Sequence, residues 1–177
     1  MEESTPPEVA TQRSWRCWPP GPMEPIPYRA FFSAAEYATI QRGLVPEQME
    51  DKWFIFWDRD VLYMHRSWTG HCVYRVVFQA QRDAYEVHEA YVSTDETKYR
   101  RGPVEYEVRL VEFLIRALLL EEVVPFPFPP WIKRTGSHGQ YRHLVAGNVR
   151  TADRMAEEAG LLARVYRRLR RWLTWGS

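Results

Sequence analysis

The sequence predicts an α+β protein in which a four-stranded antiparallel meander packs against helices. Four segments rich in β-branched and aromatic residues follow one another between positions 50 and 93, separated by short turn sequences. Apolar residues then recur at helical spacing in two later segments. Short connections favour antiparallel neighbours, because parallel strands need a long crossover.

Length and composition indicate one domain, which we place at residues 28–177. Residues 1–27 hold seven of the thirteen prolines and are predicted to form a disordered leader, because proline removes backbone donors. The formal charge of +1 argues against a protein built wholly around polyanion binding. The chain is rich in aromatic residues, has two cysteines and has no long apolar run, which favours a cytoplasmic protein without a membrane span.

The first helix is predicted at Ala34 to Arg42. Ser33 is a suitable N-cap, Glu36 can complete a capping box, and Gly43 can end the helix. Four strands are predicted to follow: Trp53 to Trp57, Val61 to Arg66, His71 to Ala80 and Tyr85 to Ser93.

A long helix is predicted from Val104 to Leu120, after Pro103. Its inward face is expected to comprise Val104, Val108, Val111, Ile115 and Leu118. An arginine-rich helix is predicted from a Thr151 cap to Trp172. Residues 123–150 between these helices contain too many prolines and glycines for regular structure. This loop has basic residues and no acid, so it brings uncompensated positive charge.

Closing the hairpins over their turns predicts which strand residues pair. Trp53 should oppose His65, which should also oppose Cys72 on the next strand. Arg75 should oppose Glu89, a favourable pairing of opposite charges. With this register several polar residues meet at one end of the sheet: Asp51, Lys52, Arg66, His71 and Ser93 to Asp95.

Cationic and hydroxyl donors at this end suit a phosphate or a carboxylate. We predict a site for a small anion there, nucleotide- or ADP-ribose-like, formed by Lys52, His65, Arg66, Ser67, Trp68, Thr69 and His71. Lys52 and Arg66 would take the negative groups, and Trp68 would offer a stacking face. The alternative is purely structural, with Arg66 paired to Asp51 and the residues after it forming a turn.

Two other functions stay open, so the sequence does not decide whether the protein is an enzyme. The basic loop and the arginine-rich helix suit a nucleic-acid or protein partner, although any amphipathic surface helix has a charged face. His65 or His71 would serve as the general base of a hydrolase, but no nucleophile can be assigned. Neither a metal-ligand spacing nor a cofactor motif is present, so we predict no metal and no cofactor.

Two segments, Glu50 to Ile55 and Tyr63 to Gly70, resemble the hairpin signature of small uncharacterised bacterial proteins. We name these segments the signature hairpin. Similar segments occur near ADP-ribosylglycohydrolase-type enzymes, but the carboxylate clusters of such enzymes are missing here, so no catalytic residue carries over. The resemblance covers only part of the sheet and implies no established activity. Among small anions, the resemblance favours a nucleotide-like ligand.

Overall fold

The computed structural model describes residues 9–132 and 138–147, and in this part of the chain the predicted α+β class is confirmed. The six strands within it are β1 (Met23–Pro25), β2 (Phe31–Phe32), β3 (Trp53–Asp58), β4 (Val61–Arg66), β5 (Cys72–Ala80) and β6 (Tyr85–Ser93). The α-helices of the same part are α1 (Ala34–Ile40), α2 (Val104–Leu114) and α3 (His138–Ala146). A π-helical segment, Ile115–Leu119, continues α2.

All strands belong to one antiparallel sheet with the order β1-β6-β5-β4-β3. The four predicted strands are therefore a meander, in which each pairs with its neighbour in sequence. β1 pairs with the last residues of β6 and β2 with its first residues, so both extend the sheet beyond the predicted edge. These two strands escaped prediction because they are only three and two residues long.

The predicted pairing of β3 with β4 is wrong by one residue, because Trp53 lies opposite Arg66 rather than His65. The cause is the connecting turn. It contains only Arg59 and Asp60, which have φ of 46° and 63°. Two successive positive φ angles are typical of the two-residue type I′ turn, whereas the prediction assumed a three-residue loop.

The predicted pairing of His65 with Cys72 across β4 and β5 is confirmed. Between β5 and β6, however, Arg75 lies opposite Tyr91 and not opposite Glu89. A β-bulge along this pair shifts the register, and a strand pattern does not reveal such an extra residue. The Arg75 guanidinium carbon lies 5.2 Å from the centre of the Tyr91 ring, whose hydroxyl donates to Glu89.

The prediction of a disordered leader at residues 1–27 is wrong for residues 9–27, which pack against the sheet. Ala10 is buried, and the Trp18 amide donates to the Gly70 carbonyl at 2.8 Å. The apolar and aromatic residues of the leader make these contacts, and the proline content of the leader gave no sign of them. The turn after β4 is therefore held by a segment that the sequence assigned to a tail.

The helix predicted at Ala34 to Arg42 is observed as α1, two residues shorter at its end. Its N-cap is Ser33, whose Oγ accepts from the Glu36 amide at 3.3 Å, while the Ser33 amide donates to Glu36 Oε2 at 2.7 Å. This reciprocal arrangement is the predicted capping box. Gly43 follows with a φ of +66°, as expected for a residue that ends a helix.

The predicted helix from Val104 to Leu120 is observed as α2 and its π-helical continuation, but its buried face is only partly as predicted. Val111 and Ile115 are buried, whereas Val104 is exposed. Val108 and Leu118 are half-buried. Other buried residues of this helix are Tyr106, Glu107, Leu110, Phe113 and Leu114. A hydrophobic pattern assigns acidic residues to the exposed face of a helix, so it misses a buried acid such as Glu107.

The main core lies between the helices and one face of the sheet. The strand residues on this face are Trp53, Ile55, Leu62, Met64, Tyr74, Val76, Phe78, Val87, Ala90 and Val92. On the opposite face of β3, Phe54 and Phe56 form a smaller cluster with Ala10 of the leader. Both faces of β3 are thus buried, which accounts for its unbroken apolar sequence.

Residues 123–150 were predicted to lack regular structure, and this is wrong for residues 138–146, which form α3. A helix of nine residues is marginal in isolation, so tertiary contacts decide whether it forms. Gly147 ends the helix with a φ of +75°, and its amide donates to the His143 carbonyl at 2.9 Å. The arginine-rich helix predicted from Thr151 to Trp172 lies outside the described residues.

Two kinds of feature are missing from residues 9–132 and 138–147. These residues form no helix of the length and apolarity that crossing a membrane requires. They also bring together no group of three or more His, Cys, Asp and Glu side chains that would hold a metal ion. A candidate site must therefore be sought among the cavities and charged groups.

Candidate functional site

Three side chains of the predicted site, Lys52, Ser67 and Trp68, make internal contacts. Lys52 Nζ donates to the Met49 carbonyl at 3.0 Å and lies 4.3 Å from the centre of the Trp68 ring. Trp68 Nε1 donates to the same carbonyl at 2.9 Å. Ser67 Oγ donates to the Asp51 carbonyl at 2.6 Å. Together these contacts join the loop before β3 to the turn after β4.

The two histidines of the predicted site are also enclosed. His65 is buried with Nε2 3.2 Å from the Trp18 carbonyl oxygen, and burial lowers its pKa to about 4. His71 is buried with Nε2 2.9 Å from Ser93 Oγ, and burial lowers its pKa as well. A general base must reach the proton that it removes, and neither ring borders either of the two cavities discussed below. The geometry thus gives the hydrolase alternative no support.

Arg66 lies where β4 meets the C-terminal end of α3. Its Nη1 donates to the Val145 carbonyl and its Nη2 to the Leu144 carbonyl, both at 3.0 Å. The guanidinium carbon lies 5.0 Å from the centre of the Trp53 ring. Trp53 Nε1 also donates to the Val145 carbonyl, at 2.7 Å. Arg66 and Trp53 thereby satisfy carbonyls at a helix end, where intrahelical partners are missing.

The described neighbours of Arg66 offset only part of its positive charge. Within the described residues its hydrogen-bond partners are neutral carbonyls, and no carboxylate lies at ion-pair distance. A helix end carries the equivalent of roughly half a negative charge, so α3 does not neutralise a guanidinium. Burial lowers the pKa of Arg66, but an arginine side chain stays protonated in proteins. Arg66 is therefore a half-buried cation with unused N–H donors.

A cavity of about 740 Å³ borders Arg66 at the predicted end of the sheet. Thr69 is the other member of the predicted site that lines it; Thr69 Oγ1 also accepts from the His71 amide at 3.3 Å. Lys52 belongs instead to a smaller cavity of about 280 Å³, which shares only Trp53 with the larger one. Lys52 and Arg66 thus do not border a common cavity, contrary to the arrangement predicted from the sequence.

Residues 98–103, which we name the cationic loop, form another wall of the larger cavity. Among the described residues that line this cavity there are four cations and no carboxylate. The cations are Arg66, Lys98, Arg100 and Arg101. Lys98 pairs with Asp95 at 3.3 Å, and Arg101 pairs with Glu24. Arg66 and Arg100 lack a carboxylate partner in the described part of the chain, so the described lining of the cavity carries an excess of positive charge.

A buried acid holds the cationic loop in place. Glu107 of α2 accepts hydrogen bonds from the Gly102 amide and from the hydroxyls of Tyr74 and Tyr99, the last at 2.9 Å. Its carboxylate lies beneath the loop and does not line the cavity, and burial raises its pKa. Glu107 therefore positions the loop and offsets only part of the positive charge above it.

The cationic loop and Trp131 line the cavity but are not in the predicted site. A signal for the loop does exist, because Lys98, Arg100 and Arg101 follow β6 at the same end of the sheet as Arg66. Trp131 has no such signal, since it lies in a proline-rich segment far from the sheet in sequence. Of the basic loop residues, Arg142 is described and is buried in α3. The others, Lys133, Arg134 and Arg150, lie outside the described residues.

The fold and the site together define an α+β protein with a cationic, aromatic-lined cavity at one end of an antiparallel sheet. Comparison with protein families, with curated proteins and with solved structures found no match for the chain. The geometry of the cavity is therefore the basis for a functional proposal.

Proposed function

We propose that this protein binds a small anionic ligand of the nucleotide or ADP-ribose class in the cavity beside Arg66. The supporting observation is a cavity of about 740 Å³ whose described lining holds four cations and no carboxylate. Ligand cavities commonly measure roughly 300 to 1,000 Å³ and combine a largely apolar wall with a few polar groups. The size and the lining of this cavity fit that description.

Arg66 is the main anion-binding group in this proposal. Two of its N–H groups donate to α3 carbonyls, and the remaining ones are available to phosphate or carboxylate oxygens. These bonds and the Trp53 ring hold the guanidinium in one orientation, so little conformational entropy is lost when an anion binds. Arg100 is exposed, so its attraction for the ligand is weaker and is screened by salt.

Calorimetric titration with AMP and with ADP-ribose tests the proposal. We expect the wild type to bind and Arg66→Gln to lose about tenfold or more in affinity, since hydrogen bonds to charged groups contribute about 1.5 to 3 kcal/mol. Arg100→Gln should lose less. The matched control is Arg82→Gln, because Arg82 is exposed in the turn between β5 and β6, at the opposite end of the sheet.

Thermal unfolding of each variant separates lost binding from lost structure, because Arg66 also contacts α3. Arg100 makes no ion pair or hydrogen bond within the described residues, so Arg100→Gln should keep the wild-type melting temperature. The proposal is wrong if the wild type binds neither nucleotide at millimolar concentration. It is also wrong if Arg82→Gln weakens binding as much as Arg66→Gln does.

We further propose that the protein is cytoplasmic. Cys17 and Cys72 are both free thiols, and unpaired cysteines are typical of reducing compartments. Fractionation of cells that produce the full chain tests this, and recovery of the protein mainly from a secreted or oxidising fraction would contradict it.

A further inference from the structure

We infer that the ligand carries a planar heteroaromatic ring beside its anionic group, and that this ring stacks on Trp131. The ring site rests on the proposed anion site and adds a second recognition element to the same cavity. The inference thereby assigns the base of a nucleotide-class ligand to Trp131 and its phosphate to Arg66.

The aromatic side chains that line the cavity differ in how fully they are used by the protein. These rings are Trp53, Tyr99, Tyr106, Trp131 and Tyr141. Trp53 donates to the Val145 carbonyl, and Tyr99 donates to Glu107. The hydroxyls of Tyr106 and Tyr141 lie 3.0 Å apart and bond to each other. Trp131 has no hydrogen-bond partner among the described residues, and 53% of its surface is exposed.

Trp131 is nevertheless held at a defined place. Its ring centre lies 6.0 Å from that of Tyr106, and both rings approach the backbone of Gly102 in the cationic loop. A Cβ atom added at Gly102 would lie 2.5 Å from Tyr106 Cδ1 and 3.0 Å from the Trp131 ring. Glycine therefore allows the two rings to reach the loop, and the exposed indole of Trp131 lines the same cavity as the loop's cations.

A cavity lined by an exposed indole and by guanidinium groups fits the two parts of a nucleotide. Every nucleobase has a π-face and can stack on an aromatic side chain, and phosphates pair with arginine. A bare phosphate would make no stacking contact with Trp131, and a neutral heterocycle would bring no negative charge to Arg66. A ligand that joins both parts uses the whole lining.

Titration of the full chain with AMP, adenosine and inorganic phosphate tests the ring site. We expect AMP to bind at least about tenfold more tightly than either fragment. Trp131→Leu should weaken AMP binding by about five- to hundredfold and change phosphate binding by less than about twofold. Trp68→Leu is the matched control, since Trp68 is an exposed tryptophan at the same end of the sheet that does not line the cavity.

The outcomes distinguish the ring site from the anion site. If inorganic phosphate binds as tightly as AMP, or if Trp131→Leu binds AMP like the wild type with an unchanged melting temperature, the ring site is wrong and the anion site stands. If Trp68→Leu weakens AMP binding as much as Trp131→Leu, the ring site is wrong as well. If none of the three compounds binds and ADP-ribose does not bind either, the proposed function itself fails.

Discussion

The signature hairpin and the cationic loop lie at the same end of the sheet, but Lys52 of the hairpin bonds to a neighbouring carbonyl, whereas Arg100 of the loop is exposed. In the signature hairpin, Lys52, Ser67 and Trp68 bond to backbone carbonyls of neighbouring segments. In the cationic loop, Arg100 is exposed and has no ion pair among the described residues. A cluster of donors in sequence is thus not sufficient for a ligand site, because nearby backbone groups can use those donors first.

The need of backbone carbonyls for hydrogen-bond donors explains this difference. Carbonyl groups that are partly removed from water need hydrogen-bond donors, and the loop before β3 and the end of α3 bring several carbonyls to the signature hairpin. The cationic loop is instead held from below, where Glu107 accepts from its Gly102 amide and from Tyr99. Substitutions in the hairpin should therefore cost stability, and at Arg66 ligand affinity as well, whereas substitution of the exposed Arg100 should leave stability nearly unchanged.

Trp53→Ala should have the largest effect on stability. Trp53 is almost fully buried, stacks near Tyr74 and donates to the Val145 carbonyl, so its removal leaves a large void and takes away one of the two donors to that carbonyl. We expect a loss of about 3 to 5 kcal/mol in the free energy of unfolding, measured by urea denaturation. Trp68→Ala is the matched control and should lose only about 1 kcal/mol, because Trp68 is exposed. Equal losses would contradict the described packing.

His65 should make stability depend on pH. Burial lowers its pKa to about 4 from an ordinary value of 6.5, so below pH 6.5 the unfolded chain binds a proton that the native state does not. The free energy of unfolding should therefore fall as pH drops from 6.5 to 4, by up to about 3 kcal/mol from this residue. His65→Phe removes the titrating group and keeps a ring. Parallel profiles for wild type and His65→Phe over this range would contradict the burial of His65.

Gly147→Ala should destabilise the docking of α3. The φ of +75° disfavours alanine, and the added Cβ would lie 2.2 Å from the Glu50 carbonyl oxygen. We expect a loss of about 1 to 3 kcal/mol, measured by urea denaturation. Gly139→Ala is the matched control within α3, where an added Cβ meets nothing within 4 Å. That change should be neutral or stabilising by about 0.5 kcal/mol, and similar losses for both variants would place α3 elsewhere.

Arg100→Gln should have the smallest effect on stability and so tests the other half of the comparison. Arg100 is exposed and makes no ion pair among the described residues, so the change should stay within about 0.5 kcal/mol by urea denaturation. Arg66→Gln should cost about 1 to 3 kcal/mol, because it removes the donor to the Leu144 carbonyl and one of the two donors to the Val145 carbonyl. If both variants lose the same stability, the cationic loop is as structural as the hairpin.

Much of the local structure was predictable because its signals lie within a few residues. The capping box of Ser33 and Glu36 spans three positions, and the four long strands have their own β-branched and aromatic composition. Register was less predictable, since one turn residue or one bulge shifts every later pair. Of the residues that line the cavity, Arg66 and Thr69 belong to the site predicted from the sequence, whereas Trp131 had no local signal.

The sequence by itself determined the fold class, the order of the long strands and the end of the sheet at which cations gather. Only the tertiary structure decided which of those polar groups face open space. Trp53 and Arg66 bond to Val145 across 92 and 79 positions of the chain, and the hairpin gives no sign of a partner so distant. A local pattern specifies how a segment folds, but the partners of a side chain depend on which remote backbone approaches it, because carbonyls at a helix end accept from the donors that lie nearest to them.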